Sequence, residues 1–306
     1  MQRTLKSPIF LNGVGLHSGE NVNMSVRPAF SDTGIWFKRT DISGVDNMIP
    51  ALWDYAQQTQ LCTRIVNEAG IAVSTIEHLM AALYGCGIHN AIVEIDGPEV
   101  PILDGSAVEF VEHFLKAGIV RQSAAVRALK VLKNVTVKSA GAWASLVPSS
   151  VMEMDFHIDF NDPAIGVQKR TMTLANGAFV HALCDSRTFC QSADVDAMRA
   201  QGLVKGGNLN NAVVFDGHRV LSPGGLRHRD EPVRHKMLDA VGDLALAGVP
   251  ILGKYIGYKA GHAISNQLLH AVFADASNYE MIECDAQQTQ LLPGSGIVSA
   301  DLPVVA

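Results

Sequence analysis

The chain has 306 residues, about twice the ~150 of a common single domain, so two domains are expected. Hydrophobic residues make up 48% and charged residues 18%, which is enough apolar material for sizeable cores and excludes intrinsic disorder. A formal net charge of -6 argues against a dedicated nucleic-acid binder, whose phosphate contacts need a basic excess, while a local patch for a phosphorylated small molecule stays open.

The opening MQRTLKSPIF lacks the apolar run of a secretory signal. Strands are predicted over 3–10, 20–27 and 91–96, where residues alternate or are β-branched between Gly and Asn turns. Helices are predicted over Thr75–Tyr84 and Ser106–Ala117. The short polar stretch 120–127 marks the boundary, giving domains 1–124 and 125–306. Strands follow near 126–138, 142–148, 151–159 and 168–173, then helices over Pro232–Ala247 and His262–Ala274. Strands followed by two helices, twice over, indicate a duplicated α+β unit. Each half carries an excess segment, near 35–60 and near 188–220, and such inserts commonly flank a shared cleft.

The apolar stretch between Asp243 and Lys254, broken by Pro250, falls far short of the ~20 residues that cross a bilayer. Five cysteines include no CxxC pair, so a reduced, cytoplasmic protein is expected. The histidines say more. In RHKMLDAVGDLALAG (234–248), His235 and Asp239 stand four apart and share one helical face. Both can reach one Zn²⁺ at about 2.0–2.2 Å, with Asp243 extending the stripe by a turn. A solvated helical face with a chance histidine has the same spacing. In VSTIEHLMAAL (73–83), His78 offers a third ligand, leaving a coordination position for water. Two roles stand open for Glu77: general base beside that water, or partner of the Ser74 backbone N–H in a capping box. In YKAGHAISNQLLHAVF (258–273), His262 sits at a helix start, where the dipole lowers its pKa and a carboxylate such as Asp243 opposes that. It reads either as a proton donor or as an ordinary helix-start histidine.

Together these clusters resemble the bacterial UDP-3-O-acyl-N-acetylglucosamine deacetylases, zinc amidases at the committed step of lipid A synthesis. The likeness runs nearly end to end through LNGVGLHSG (11–19), TIEHLMAAL (75–83), PILDGSAVEF (101–110), SRTF (186–189), RHKMLDAVGDL (234–244) and YKAGHA (258–263). The resemblance implies an α+β fold of two similar domains, each a sheet layered against two helices. An insert in each would border an active site lying between the domains. It implies His78, His235 and Asp239 as zinc ligands and Glu77 as base. It implies His262 as acid or oxyanion stabiliser oriented by Asp243, with Thr188 donating to the oxyanion and Lys236 near the substrate. Lys259 would meet the diphosphate, Phe160 would stack on the uracil, and Phe189 would line an acyl passage. Met198, Leu203, Val204, Val213 and Val214 either continue that passage or form the insert's own small core.

The expected partner is an acylated UDP-sugar. No nucleic acid or transmembrane segment is expected; transient contact with membrane-associated enzymes of the pathway and a monomeric state are. A binding protein without catalysis, and a zinc hydrolase of another N-acyl sugar, are the alternatives. LNGVGLHSG is not a dinucleotide loop, because its spacing is G-x-G-x-x-x-G and no helix follows; His17 within it reads as a turn residue. Cys62 has no neighbouring base that would mark a nucleophile.

Overall fold

The computed structural model describes residues 1–57, 59 and 61–303. The first half is built on a five-stranded sheet in the order Ile9–Val14, Asn21–Pro28, Ala91–Ile95, Ile35–Arg39, Met48–Pro50. Period-two alternation sets its faces: Val22, Met24 and Val26 turn inward while Asn21, Asn23 and Arg27 stay exposed. Helices α1 (Glu77–Gly85) and α2 (Val108–Ala117) share the sheet's hydrophobic core. α2 buries Phe110, Val111 and Phe114 at helical spacing and stops at Gly118, whose φ of +84° suits glycine. α1 is buried at every position except Tyr84, as befits a helix enclosed on all sides. Arg3–Leu5 pairs antiparallel with Ile119–Arg121, tying the beginning of this half to its end.

The second half has a seven-stranded sheet whose main path runs Val135–Ser139, Ala142–Val147, Ile251–Tyr258, Arg127–Val131, Tyr279–Glu283. Met152–Asp159 joins it parallel to Ile251–Tyr258 and pairs antiparallel with Val167–Thr173. Next come α3 (Ala178–Ala182), α4 (Ser192–Ala200) and a small sheet of Phe189–Gln191, Val213–Asp216 and Arg219–Val220. α5 (Glu231–Leu244), α6 (His262–Phe273) and α7 (Ala286–Leu291) complete the helices discussed below. Pro232, near the start of α5, needs no N–H partner in the first turn.

The halves repeat one plan. In each, a helix, a central strand and a second helix follow in order: α1, Ala91–Ile95, α2 and then α5, Ile251–Tyr258, α6. Ala91–Ile95 runs parallel to one neighbour and antiparallel to another, and Ile251–Tyr258 likewise pairs antiparallel with Ala142–Val147 and parallel with Met152–Asp159, with a further parallel pairing to Arg127–Val131. The first insert expected near 35–60 takes in both regular sheet strands and part of a departing segment. Ile35–Arg39 and Met48–Pro50 are regular members of the main sheet, answering to Met152–Asp159 and Val167–Thr173. The departure from the plan is 51–74, which forms a separate sheet of Ala56–Gln57, Arg64–Val66 and Ala72–Ser74. Short strands flanking the Asp- and Gly-containing loop 40–47 carry too few residues for a legible period. The second departure, 174–230, encloses the predicted 188–220. The strand predicted over 126–138 divides into Arg127–Val131 and Val135–Ser139, and α3, α4 and α7 went unforeseen. Among the described residues, no helix is long and apolar enough to cross a membrane.

α1 and α5 cross at the contact between the halves. A Cβ built on Gly242 of α5 would lie 2.0 Å from the Glu77 carbonyl oxygen, so only glycine permits this approach. That crossing brings the first turn of α1 against the C-terminal half of α5.

Candidate active site

Three helices contribute the polar centre. α1 presents Glu77 and His78 from its first turn, α5 presents His235, Asp239 and Asp243 from successive turns, and α6 begins with His262. His78 Nε2 lies 3.5 Å and His235 Nε2 lies 3.3 Å from Asp239 Oδ1. One donor atom from each of the three falls within 4.8 Å of the others. Donors at about 2.0–2.2 Å from a tetrahedral metal stand about 3.3–3.6 Å apart, which matches those two spacings. Asp239 Oδ1 is buried without a hydrogen-bond partner, an arrangement that costs free energy unless a cation meets it. The donor set therefore fits a metal ion.

The surrounding charges favour ligation. Burial pushes the His235 imidazole down to about 4 against the pull of Asp239, so its lone pair is free, and its Nδ1 faces the Ser186 carbonyl at 3.0 Å. Burial would raise the Asp239 carboxyl, but His235, Lys236 and His262 hold it well below the carboxylate range. Lys236 Nζ donates to Asp239 Oδ2 at 2.7 Å. Burial works against the Lys236 charge, yet the Asp239 carboxylate leaves its pKa raised.

Glu77 does not form the capping box. The Ser74 N–H goes to the Pro98 carbonyl at 2.9 Å, and Glu77 Oε2 instead accepts the Thr63 N–H at 2.9 Å. Its carboxyl is pushed up by complete burial, with His262 and His78 opposing. His262 Nδ1 lies 3.0 Å from Asp243 Oδ2, and its Nε2 lies 3.7 Å from Glu77 Oε1. Burial opposes the imidazolium, but Asp243, Glu77 and Asp239 outweigh it and lift the pKa to about 9. Asp243 is fixed by the Thr63 hydroxyl at 2.5 Å.

The cluster borders a cavity of about 870 Å³ lined by Thr188, Phe189, Phe160 and Lys236 among others. The Phe160 and Phe189 rings meet edge to face at 5.5 Å. Met198, Val204 and Val214 also line it, whereas Leu203 and Val213 do not; Val213 is 1% exposed and belongs to the core. Lys259 stands apart from the lining, its ammonium 2.8 Å from the Asp159 carboxylate. His17, read from sequence as a turn residue, is buried and lines the cavity. Thr63 was missed altogether: a threonine in a loop carries no signal that it will brace both Glu77 and Asp243. The Cys62 thiol is pushed up to about 11 by burial and by Glu77, which agrees with its dismissal as a nucleophile.

A duplicated α+β fold with two histidines and an aspartate gathered at the junction of its halves, beside a buried carboxylate and a carboxylate-braced imidazole, defines a metal-dependent hydrolase. Comparison with known proteins narrows the class. The family described as LpxC, UDP-3-O-acyl N-acetylglycosamine deacetylase, matches residues 2–274, and the chain belongs to it. The UDP-3-O-acyl-N-acetylglucosamine deacetylase of Haemophilus influenzae (strain PittEE) is 46% identical over 283 residues, covering 92% of each chain. The enzyme of that name from Shewanella frigidimarina is 46% identical over 300 residues, covering 96% of this chain and 98% of its own. That from Pasteurella multocida is 45% identical over 289 residues, covering 94% of each.

Proposed function

We propose that the protein hydrolyses the N-acetyl group of UDP-3-O-acyl-N-acetylglucosamine, releasing acetate, at the committed step of lipid A biosynthesis. The observation that carries this reading is the orphaned Asp239 Oδ1 facing two histidines from opposite halves beside a cavity of about 870 Å³. His78, His235 and Asp239 would hold Zn²⁺. When bound, the ion supplies Lewis-acid polarisation of the amide carbonyl and makes water more acidic.

The remaining chemistry falls to side chains. Glu77, its basicity raised by burial, accepts the proton of the attacking water. His262, kept charged by Asp243, donates to the developing oxyanion, joined by the Thr188 hydroxyl; a preorganised donor of this kind contributes about 3–4 kcal/mol. Lys236 adds positive charge at the same wall. The departing glucosamine nitrogen takes its proton from His262 or from Glu77, whose Nε2 and Oε1 are 3.7 Å apart. Phe189, Met198, Val204 and Val214 line the acyl passage, where each buried methylene contributes about 0.8 kcal/mol. Phe160 stacks on the uracil. Lys259 meets the diphosphate by exchanging its Asp159 partner.

In this reading the domains are 1–124 and 125–306, with the reaction at their junction. The protein acts in the cytoplasm as a monomer in transient contact with membrane-associated enzymes of the pathway. Zinc quantification with an acetate-release assay on the acylated UDP-sugar tests the proposal. One zinc per chain and chelator-sensitive acetate release are expected. A metal-free chain that binds the sugar without turnover would leave a binding protein instead. Undiminished turnover after removal of the 3-O-acyl group would refute the acyl passage.

A further inference from the structure

Two segments of the first half, LNGVGLHSG (11–19) and the Pro98–Pro101 stretch, supply no group to the chemistry above, yet Glu99 joins both to it. Glu99 is only 2% exposed. Its Oε1 accepts the His17 N–H at 2.9 Å and the Thr75 hydroxyl at 2.7 Å, and its Oε2 accepts the Ser18 N–H at 2.7 Å. A buried carboxylate suits this place because all three neighbours are donors and an ionised carboxylate only accepts. A Cβ on Gly15 would come 2.5 Å from Glu99 Oε2, so the loop closes on the carboxylate only because glycine stands there.

Each arm of this network ends at the active site. Thr75 holds φ at +56°, a left-handed conformation that is a genuine outlier for a β-branched residue. Glu77 follows two residues later and His78 three. The hydroxyl bond to Glu99 thus fastens the strained turn that sets where α1 begins. On the other arm, the Leu16 carbonyl accepts the Gly206 N–H at 3.0 Å and the His17 carbonyl accepts the Lys205 N–H at 3.4 Å. Those donors belong to the second half's insert, next to Val204 in the cavity wall.

We propose that Glu99 is a positioning residue for the reaction: one carboxylate sets both the start of α1 and the cavity wall contributed by the opposite half. The inference rests on the functional reading of Glu77 and His78. Glu99→Gln keeps size but offers one oxygen to three donors and turns an NH₂ toward an N–H. Thr75→Val removes the hydroxyl alone, and Thr75→Ser keeps it.

The test measures zinc affinity by competition with a chromogenic chelator, and kcat and KM for acetate release, on full-length chains. Glu99→Gln is expected to lower zinc affinity and kcat/KM about 10- to 100-fold, the range for partners that orient metal ligands. Thr75→Val should lower kcat and zinc affinity while KM holds, and Thr75→Ser should restore both. Wild-type zinc affinity and kinetics in Glu99→Gln, or Thr75→Ser as impaired as Thr75→Val, would overturn the inference. Should Glu99→Gln fail to fold, the Thr75 pair decides by itself. A wild-type chain that neither holds zinc nor releases acetate overturns the functional reading and this inference with it. An active, zinc-binding wild type with indistinguishable variants overturns this inference alone.

Discussion

Gly242→Ala places a single methyl group where the two halves meet. The added carbon would fall 2.0 Å from the Glu77 carbonyl oxygen and 2.9 Å from its Cα, whereas ordinary contact begins at 3.4 Å. The atoms struck are backbone, so no side-chain rotation relieves the clash, and α1 and α5 must part by on the order of 1 Å. Overpacking of this kind costs about 1–3 kcal/mol, and the upper end is expected here because two helix backbones must move. The displacement reaches the site directly, since Glu77 and His78 ride on one helix and Asp239 lies one turn from Gly242 on the other. The 3.5 Å gap between His78 and Asp239 would open, weakening metal affinity, and a misplacement of about 1 Å lowers turnover about 10²-fold. Calorimetric unfolding, chelator competition and acetate release measure the three effects. Unchanged unfolding temperature together with unchanged kcat would refute the claim that this crossing sets the site's spacing.

Glu77→Gln preserves shape and should keep the metal while lowering turnover about 10²- to 10⁴-fold; near-normal acetate release would remove Glu77 from the proton transfer. Glu231→Gln should strand the buried Arg187 guanidinium, whose Nε lies 2.9 Å from the Glu231 carboxylate, and cost about 3–5 kcal/mol in denaturant unfolding. Replacing both partners by apolar residues should cost much less, and an equal loss would show that packing rather than pairing governs there. His89 predicts a pH dependence. Burial, followed by the nearby Arg3 and N-terminal charges, lowers its pKa from 6.5 to about 3, so the folded protein keeps the imidazole neutral. The unfolded chain takes up a proton first as pH falls, so this contribution is complete above about pH 6.5 and is lost progressively toward pH 3, on the order of 5 kcal/mol. His89→Gln should flatten the acid limb of the unfolding curve; an unaltered slope would refute the assignment.

Much of the site was legible because helical spacing converts sequence distance into direction. Positions 235, 239 and 243 share a face in any helix, so three of the candidate groups could be placed together from the sequence alone. The same local information left two roles open at Ser74–Glu77, where a capping pattern was present but its N–H found a better partner in the Pro98 carbonyl. It was blind to Thr63 and Glu99, whose importance lies in donors contributed by other elements. How 35–60 divides between sheet and departing segment was not legible for a related reason: membership of a sheet is settled by the neighbouring strand, and Ile35–Arg39 finds its partner at Ala91–Ile95.

The sequence by itself determined the duplicated α+β order, the amphipathic helices and the residue types able to bind a metal, because each is a periodic or short-range property. Only the tertiary structure decided that His78 meets His235 and Asp239, that the capping pattern stays unused and that Lys259 pairs with Asp159. Those outcomes depend on how closely two distant helices approach, and steric fit at Gly242 controls that approach without leaving any periodic trace in the chain.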